Sequence, residues 1–411
     1  MAFRARAFRT ASRLAPLVLV VLAIASCGGT SEQYPQSTLH PKSDVTRMID
    51  GVFMTTVWWA LLVFVLVEGA LVWAILRYRG KPGDAEPAQV HGNTTLEIVW
   101  TAIPALILAM IAVPTVRAIF ETYEVPKGDA LEVEVIGHQW WWEFRYPQYG
   151  VVTANELQVP AGRMVTLKMS TVDVLHAFML PQLAGKRDLF QQRINTLWFR
   201  ADSSGYYSGQ CAEFCGIQHG AMRFHVAATT PAEFDAYIAG LRQPRTPGGA
   251  AAPAPAAARA DTTASMGAST GGQADRRTGG QAGAQGAGGA DGQIGAGAQA
   301  PAGQGQQQPP MGPAPGDSTS PAGQGAKLFA SRGCTACHAL DATSSAKMVG
   351  PNLANIGSRR YIGAGVALNT DENLARWIQN PHDMKVGVTM PNMGLTSDQA
   401  RAVAAFLRTL K

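Results

Sequence analysis

Two long apolar runs set the first limit on what this chain can fold into. Gly51 to Leu76 carries one charged residue, Glu68, in 26 positions; Leu96 to Ala118 carries Glu97 and Arg117, each near an end, in 23. A helix rises about 1.5 Å per residue, so each run can cross a hydrocarbon core of about 30 Å. Only a helix or a closed barrel satisfies its backbone there, and runs of this length and composition read as helices. Arg77, Arg79 and Lys81 lie between them, and the excess of cations on cytoplasmic loops places that connection inside the cell. Both outer ends of the hairpin, and everything downstream, then lie on the outer face. Pro104 and Pro114 are tolerable in a membrane helix supported by others. Trp58, Trp59 and Trp73 suit interfacial belts, and the first two suit packing against a neighbour equally well. Glu68 is costly in a span and points to a function or a buried partner; an ion pair with another subunit accounts for it equally well.

Upstream, Arg4, Arg6, Arg9 and Arg13 precede the apolar run Leu17 to Ala25, with no acid before Glu32. That is the pattern of a secretory signal peptide. Its end, Ile24-Ala25-Ser26-Cys27, resembles a bacterial lipobox, which implies cleavage after residue 26 and acylation of Cys27. Cleavage elsewhere, or a retained membrane helix, are the alternatives. The formal charge of +5 falls to +1 without the four arginines, and gives no nucleic-acid signature. The five cysteines, at 27, 211, 215, 334 and 337, each fall in a motif, leaving none for a structural disulfide.

With 411 residues the chain has room for two or three domains. From Asp129 the pattern turns to strands. Leu131, Val133 and Val135 alternate with Glu132 and Glu134, the period of a half-buried strand. Further runs are Met164 to Met169, Val172 to Leu180, Asn195 to Ala201 and Met222 to Ala227. Short strands punctuated by Gly and Pro argue for an all-β sandwich or barrel. His225 alternates with Phe224 and Val226 and is expected to face solvent; His138 is expected to be structural. Gln139-Trp140-Trp141-Trp142-Glu143-Phe144 is a dense aromatic cluster, for which packing is the default. Thr230-Pro231-Ala232-Glu233 is a capping box that opens a helix to about Leu241.

The chemistry concentrates in Cys211-Ala212-Glu213-Phe214-Cys215-Gly216-Ile217-Gln218-His219-Gly220-Ala221-Met222. Two thiols, an imidazole and a thioether follow at intervals of four, four and three residues. Soft sulfur ligands select copper or zinc, and imidazole suits both. Structural zinc usually takes closer Cys pairs and rarely a thioether, so copper is favoured. Gly205, Gly209, Gly216 and Gly220 argue for a loop rather than a helix. His176, in the strand-like run upstream, is the obvious further ligand.

Cys-x-Glu-x-Cys-x-x-x-His-x-x-Met, with Asp173-Val174-Leu175-His176 upstream, resembles the dinuclear CuA site of cytochrome c oxidase subunit II, over about residues 45 to 243. The resemblance implies that Cys211 and Cys215 bridge both coppers, that His176 and His219 each cap one, and that Met222 adds a weak thioether bond. Glu213 would contribute its backbone carbonyl, and the domain would be a cupredoxin-like Greek-key barrel. Trp140 matches the residue through which electrons enter, with core packing as its other reading. Asp173 would help in docking or in supporting the site. Glu97 matches a residue lining the entrance of a proton path into subunit I; a carboxylate touching only water and headgroups is the alternative.

From Gln243 to about Pro321 the composition collapses into Ala, Gly, Gln and Pro without apolar periodicity, as expected of a disordered tether. A coil of just under 80 residues would span about 50 Å. Beyond it, a short helical run from Gly325 to Arg332 leads into Cys334-Thr335-Ala336-Cys337-His338. C-x-x-C-H reads as covalent haem c attachment, with thioethers from Cys334 and Cys337 and iron ligation by His338. A redox disulfide or a zinc pair is the rival. Gly350-Pro351-Asn352-Leu353 resembles the class I cytochrome c segment whose Pro carbonyl orients the proximal His. In such cytochromes Met is the usual sixth ligand. Met390, followed by Pro391, is the candidate, with Met348, Met384 and Met393 as competitors. Trp377 is expected near the haem. Thr396-Ser397-Asp398-Gln399 should cap a last helix whose Phe406 and Leu407 meet the first.

These pieces define a multidomain chain. A signal peptide of lipoprotein type spans 1–26, a transmembrane two-helix hairpin 45–119 and a cupredoxin-like CuA domain 120–243. A disordered linker spans 244–322 and an all-α class I cytochrome c domain 323–411. The expected cofactors are a dinuclear copper centre and one covalent haem c. The resemblance implies the electron-entry subunit of a terminal oxidase in a bacterial cell membrane, with soluble domains on the outer face. Its partners would be subunit I, where oxygen is reduced and protons are pumped, and subunit III. The donor would be a cytochrome c, another small redox protein or a quinol:cytochrome c reductase. Alternatives are a quinol-oxidase-type subunit, which would lack the copper ligands, and a membrane-anchored copper and haem module serving another reductase. Residues 120–243 balance to −3 and residues 323–411 to +5, so opposite charge would steer the haem module onto the copper domain.

Overall fold

The structure is a computed structural model and describes residues 34–80, 83, 92–243, 318–343 and 349–411. The proposed signal peptide with Cys27, nearly all of the linker, and Met348 lie outside the described residues.

The first apolar run lies in helix α1 (Asp44–Arg77) and the second in α2 (Thr94–Tyr123). Both are longer than their apolar runs, because polar caps extend them. Ser43 and Thr46 form a reciprocal capping box at the start of α1, and Asn93 caps α2. Pro104 and Pro114 sit inside α2. Apolar side chains along both helices are exposed, Phe64, Leu66, Leu106 and Val113 among them. That is what lipid or partner helices would cover. The hairpin is tied to the β domain at both outer ends. Lys42 N–H donates to Gln182 O at 2.9 Å and Trp198 Nε1–H to Thr122 O at 3.1 Å.

The β domain has ten strands. They are β1 (Ala130–His138), β2 (Trp141–Tyr146), β3 (Val151–Ala154), β4 (Glu156–Pro160), β5 (Met164–Thr171), β6 (His176–Leu180), β7 (Gly185–Leu189), β8 (Asn195–Arg200), β9 (Gly205–Cys211) and β10 (Arg223–Thr229). One sheet has the order β3-β2-β1-β5-β8 and the other β4-β10-β9-β6-β7. The alternation read in β1 is real: Leu131, Val133 and Val135 are buried, while Glu132 and Glu134 are only partly so. Aromatic rings join the sheets beneath the cysteine loop, with Trp142 5.4 Å from Phe178 and 5.3 Å from Phe224 between ring centroids. Gly209 is required here, since a Cβ would meet the Phe224 ring at 2.2 Å. Helix α3 (Pro231–Arg242) follows, with the capping box of Thr230 and Glu233 in place.

Two strand expectations shift. The run Val172 to Leu180 becomes a strand only from His176. Thr171 Oγ1–H bonds Val174 O at 2.9 Å, and Asp173 accepts Val174 N–H at 2.7 Å, which closes a turn instead. His225 points away from the β core as its alternation implies, but it does not face solvent. It is buried, stacked on Tyr361 at 4.4 Å between ring centroids.

The C-terminal module begins with α4 (Pro321–Ser331), four residues earlier than expected because Ser320 caps it ahead of a proline. Strands β11 (Tyr361–Ile362) and β12 (Ala367–Leu368) form a small hairpin, and α5 (Asp371–Gln379) and α6 (Ser397–Arg408) complete the module. Phe406 packs on Phe329 at 5.7 Å between ring centroids, so the last helix meets the first. This module and the β domain belong to one compact unit.

Candidate metal and haem sites

The loop after β9 folds back on itself and brings its ligand types together. Cys211 Sγ and Cys215 Sγ are 3.7 Å apart, far beyond a disulfide bond of about 2.05 Å. Sulfurs at that spacing can share an ion at the roughly 2.3 Å of a metal–thiolate bond. Nδ1 of His176 lies 3.8 Å from Cys211 Sγ, and Nδ1 of His219 lies 3.7 Å from Cys215 Sγ. Met222 Sδ is 3.8 Å from Cys215 Sγ, and the Glu213 carbonyl oxygen is 3.3 Å from Cys211 Sγ. Both cysteines, His176 and Met222 are buried. Every candidate ligand read from the sequence therefore lies beside one of the two cysteine sulfurs, and His176, Cys211 and Cys215 have their ligand atoms within 4.8 Å of one another.

The protonation chemistry favours a thiolate at Cys211. The hydrogen bond between the thiols, reinforced by His176, lowers the Cys211 pKa, whereas the same shared proton raises that of Cys215. Burial opposes charge on His176, but its hydrogen bond to Asp173, with help from Cys211, raises its pKa above the usual imidazole value. Asp173 Oδ1 meets His176 Nε2 at 2.8 Å, leaving Nδ1 for the cysteine side.

Trp140 lies against this loop. Its Nε1–H donates to Cys215 O at 3.0 Å, and Gln139 Nε2–H to the same oxygen at 2.7 Å. Gly216, at φ +113°, makes the approach possible, for a Cβ there would meet the indole at 3.0 Å. His138 bonds Glu143 at 2.9 Å and stacks on Trp141, the structural part expected of it. Glu97 is exposed in the first turn of α2, and Glu68 is exposed on α1.

The other expected site is an apolar cavity in the C-terminal module, lined by Cys334, Cys337, His338, Trp377, Met390 and Met393. The two thiols are unbridged. His338 Nδ1–H donates to Pro351 O at 2.8 Å, which leaves Nε2 free. Gly350 is needed for this turn, since a Cβ would come within 2.6 Å of the imidazole. Met384 does not line the cavity, so the competition narrows to Met390 and Met393 among the described residues.

Sequence reasoning missed how the two sites meet. Trp140, Trp141 and Asn155 of the β domain form one wall of the same cavity. Arg223 N–H bonds Ala364 O at 3.0 Å, Val152 N–H bonds Ala342 O at 2.7 Å, and Arg360 N–H bonds Glu156 Oε2 at 3.1 Å. Arg360 also lies over the Tyr206 ring at 5.1 Å. Lys385 is buried between the two parts. Burial pushes its pKa down to about 7, and the nearby Cys215 thiol pulls the other way. Arg359, also buried, lines the cavity; burial lowers its pKa to about 10. Nothing in the local sequence marks Lys385, because its acceptors lie 22 to 245 positions away.

Comparison with known proteins fits this architecture. Residues 34–118 match the transmembrane domain of cytochrome c oxidase subunit II, residues 151–229 its periplasmic domain, and residues 322–411 cytochrome c. Cytochrome c oxidase subunit 2 of Alkalihalophilus pseudofirmus is 31% identical over 411 residues, covering 98% of each chain. The chain belongs to the cytochrome c oxidase subunit II family. It is therefore a membrane-anchored subunit of a haem–copper terminal oxidase, with two spans and a C-terminal cytochrome c domain. Quinol oxidase subunit 2 of Bacillus anthracis is 32% identical over 247 residues, 58% of this chain and 82% of that one. The crystal structure of the periplasmic domain of subunit II of cytochrome oxidase of Bradyrhizobium japonicum is 31% identical, covering 28% of this chain and 95% of that one, with a TM-score of 0.27.

Family membership implies copper in the β domain and haem in the cytochrome domain. The residues present fit both groups. The sulfur, imidazole and carbonyl donors converge, and an apolar cavity carries two unbridged thiols beside an imidazole with one free nitrogen.

Proposed function

We propose that this chain is the electron-entry subunit of its oxidase, carrying charge from an external donor through covalent haem c to a dinuclear CuA centre and on to subunit I, where oxygen is reduced to water. The observation that carries the reading is the position of Trp140. One face of this residue belongs to the wall of the haem cavity, and its indole N–H reaches the copper loop at Cys215 O.

The roles follow residue by residue. Cys211, Cys215, His176 and His219 would hold the two coppers, with Met222 and the Glu213 carbonyl as weaker donors. Cys334 and Cys337 would hold haem by thioethers, with His338 and Met390 on the iron. When bound, these groups supply one-electron couples that the side chains themselves lack. The protein excludes water around them and fixes ligand geometry. Asp173 holds the His176 tautomer and Pro351 that of His338, the usual task of groups behind metal ligands. Buried Arg359 offers a positive charge to an acidic group in the cavity.

The proposal extends to the setting. The chain would sit in a bacterial cell membrane with its soluble parts outside, Cys27 acylated, and subunits I and III beside α1 and α2. Glu97 would stand at a proton entrance on the inner side. The donor would be a cytochrome c, another small redox protein or a quinol:cytochrome c reductase, and the assembled complex would translocate protons.

The test is an optical and EPR spectrum of the purified full-length protein, followed by rapid photoreduction of the haem. A c-type haem band, a mixed-valence two-copper signal and first-order electron transfer from haem to copper are expected. A site holding a single zinc ion, or a reduced haem that leaves copper oxidised, would overturn the reading.

A further inference from the structure

We propose that Lys385 is a docking latch, a positioning residue that fixes the haem-binding module in one register against the copper domain. Its Nζ donates to Trp140 O at 2.9 Å and Ala221 O at 2.9 Å on the β domain, and to Gly363 O at 3.1 Å on its own module. The residue is 3% exposed. Among the described residues it forms no ion pair.

That combination is selective. A buried ammonium is costly unless every proton is taken up by an acceptor. Three carbonyls match the three N–H bonds of one ammonium, and they converge only when both parts are in this relative position. A shifted docking would leave the buried amino group, charged or neutral, short of acceptors for its N–H bonds, so it would be disfavoured. The latch therefore selects a register, whereas whole-domain charge attraction would not.

The carbonyls are also well placed for the task. Trp140 O belongs to the residue that walls the cavity and touches the copper loop, and Ala221 O precedes Met222. Gly363 is held by its own packing, at φ +62°, since a Cβ there would strike Trp377 at 2.7 Å. Its neighbour Ala364 accepts Arg223 N–H across the same interface. Arginine could not replace the lysine, because a planar fork does not converge on three oxygens around one nitrogen.

The test compares full-length, metal- and haem-loaded Lys385→Met with Lys385→Arg, Lys385→Gln and an exposed control, Lys327→Met. Amide hydrogen exchange is read at residues 219–223 and 361–365, beside the haem-to-copper transfer rate and the spectra of both centres. The three Lys385 variants should exchange at least about tenfold faster at those segments, as expected for the loss of a buried charge-assisted bond. Transfer should slow by a similar factor, while haem and copper spectra and the exchange of both cores stay unchanged. Interface protection and transfer equal to those of Lys327→Met would overturn the latch. The rate arm rests on the proposed electron path, but the exchange arm does not. A wild-type protein without haem-to-copper transfer would sink that path, and the exchange comparison would still decide Lys385.

Discussion

Oδ1 of Asp173 lies 2.8 Å from Nε2 of His176, and this contact decides which imidazole nitrogen is left for a metal. The other carboxylate oxygen accepts Gln139 N–H at 2.6 Å, so the same side chain ties the aromatic segment to the His176 imidazole. Asp173→Asn keeps the shape but removes the charge that favours Nε2–H. Outer groups of this kind are typically worth about 10–100-fold in metal affinity. Chelator competition on the purified protein should show a copper loss of that order with the far-ultraviolet dichroism unchanged. Retention equal to wild type would remove Asp173 from this role.

Met390 and Met393 both line the haem cavity, so exchanging each in turn discriminates between them. A thioether ligand raises the potential of a haem. Met390→Ala should lower the midpoint potential and change the optical spectrum of the oxidised haem, whereas Met393→Ala should alter packing and leave both nearly as they are. The reverse pattern would move the sixth ligand three residues on.

The parts of this molecule that were legible in the sequence are those whose physics is local. Thr230 with Glu233 and Thr396 with Gln399 form capping boxes from four consecutive positions. Cys211, Cys215, His219 and Met222 announce their chemistry because one loop carries them. His225 marks the limit. Alternation correctly turned it away from the β core, but no pattern in β10 could show that Tyr361, 136 positions later in the chain, would cover it. Lys385 is the same case in sharper form, because lysine reads as solvated until its three acceptors are found on two parts of the fold. Strand β6 began late for the opposite reason: Thr171 and Asp173 capture backbone groups locally, and side chains of this kind compete with a ladder.

Gly325 makes the packing of the cytochrome module a test of its helices. A Cβ at this position would lie 1.9 Å from Ala402 O, in the backbone of α6, and 2.9 Å from the Phe406 Cβ. Neither atom is the free end of a flexible side chain, so α4 and α6 would have to separate. Overpacking a core typically costs about 1–3 kcal/mol, and a backbone clash belongs at the upper end. Gly325→Ala should lower the thermal midpoint of the haem-binding module and its haem yield, with the copper domain unaffected. Unchanged melting would show that the two helices can part at little expense.

The interface should also respond to pH, with a sign set by His225. Burial, reinforced by Arg360 and Arg223, lowers its pKa to about 4, against about 6.5 for a solvated imidazole. The undocked form then binds more protons between those values, so docking is favoured above about 6.5 and weakens as the pH falls towards 4. One pKa unit is about 1.4 kcal/mol, which bounds the effect at roughly 3 kcal/mol; burial by the sheet itself takes a share of that. Glu156, across the interface from Arg360, acts in the other direction. Burial raises its pKa, against the Arg360 N–H and Arg359, so the docked form takes up a proton as the pH falls. Exchange at residues 360–365, corrected for intrinsic rates, should therefore accelerate in the wild type between pH 7.5 and 5. In His225→Gln the Glu156 contribution remains, with that of Lys385 confined to the part of the range above its pKa of about 7, so below pH 7 the slope should flatten or reverse. A variant that kept the wild-type slope would place the sensitivity elsewhere.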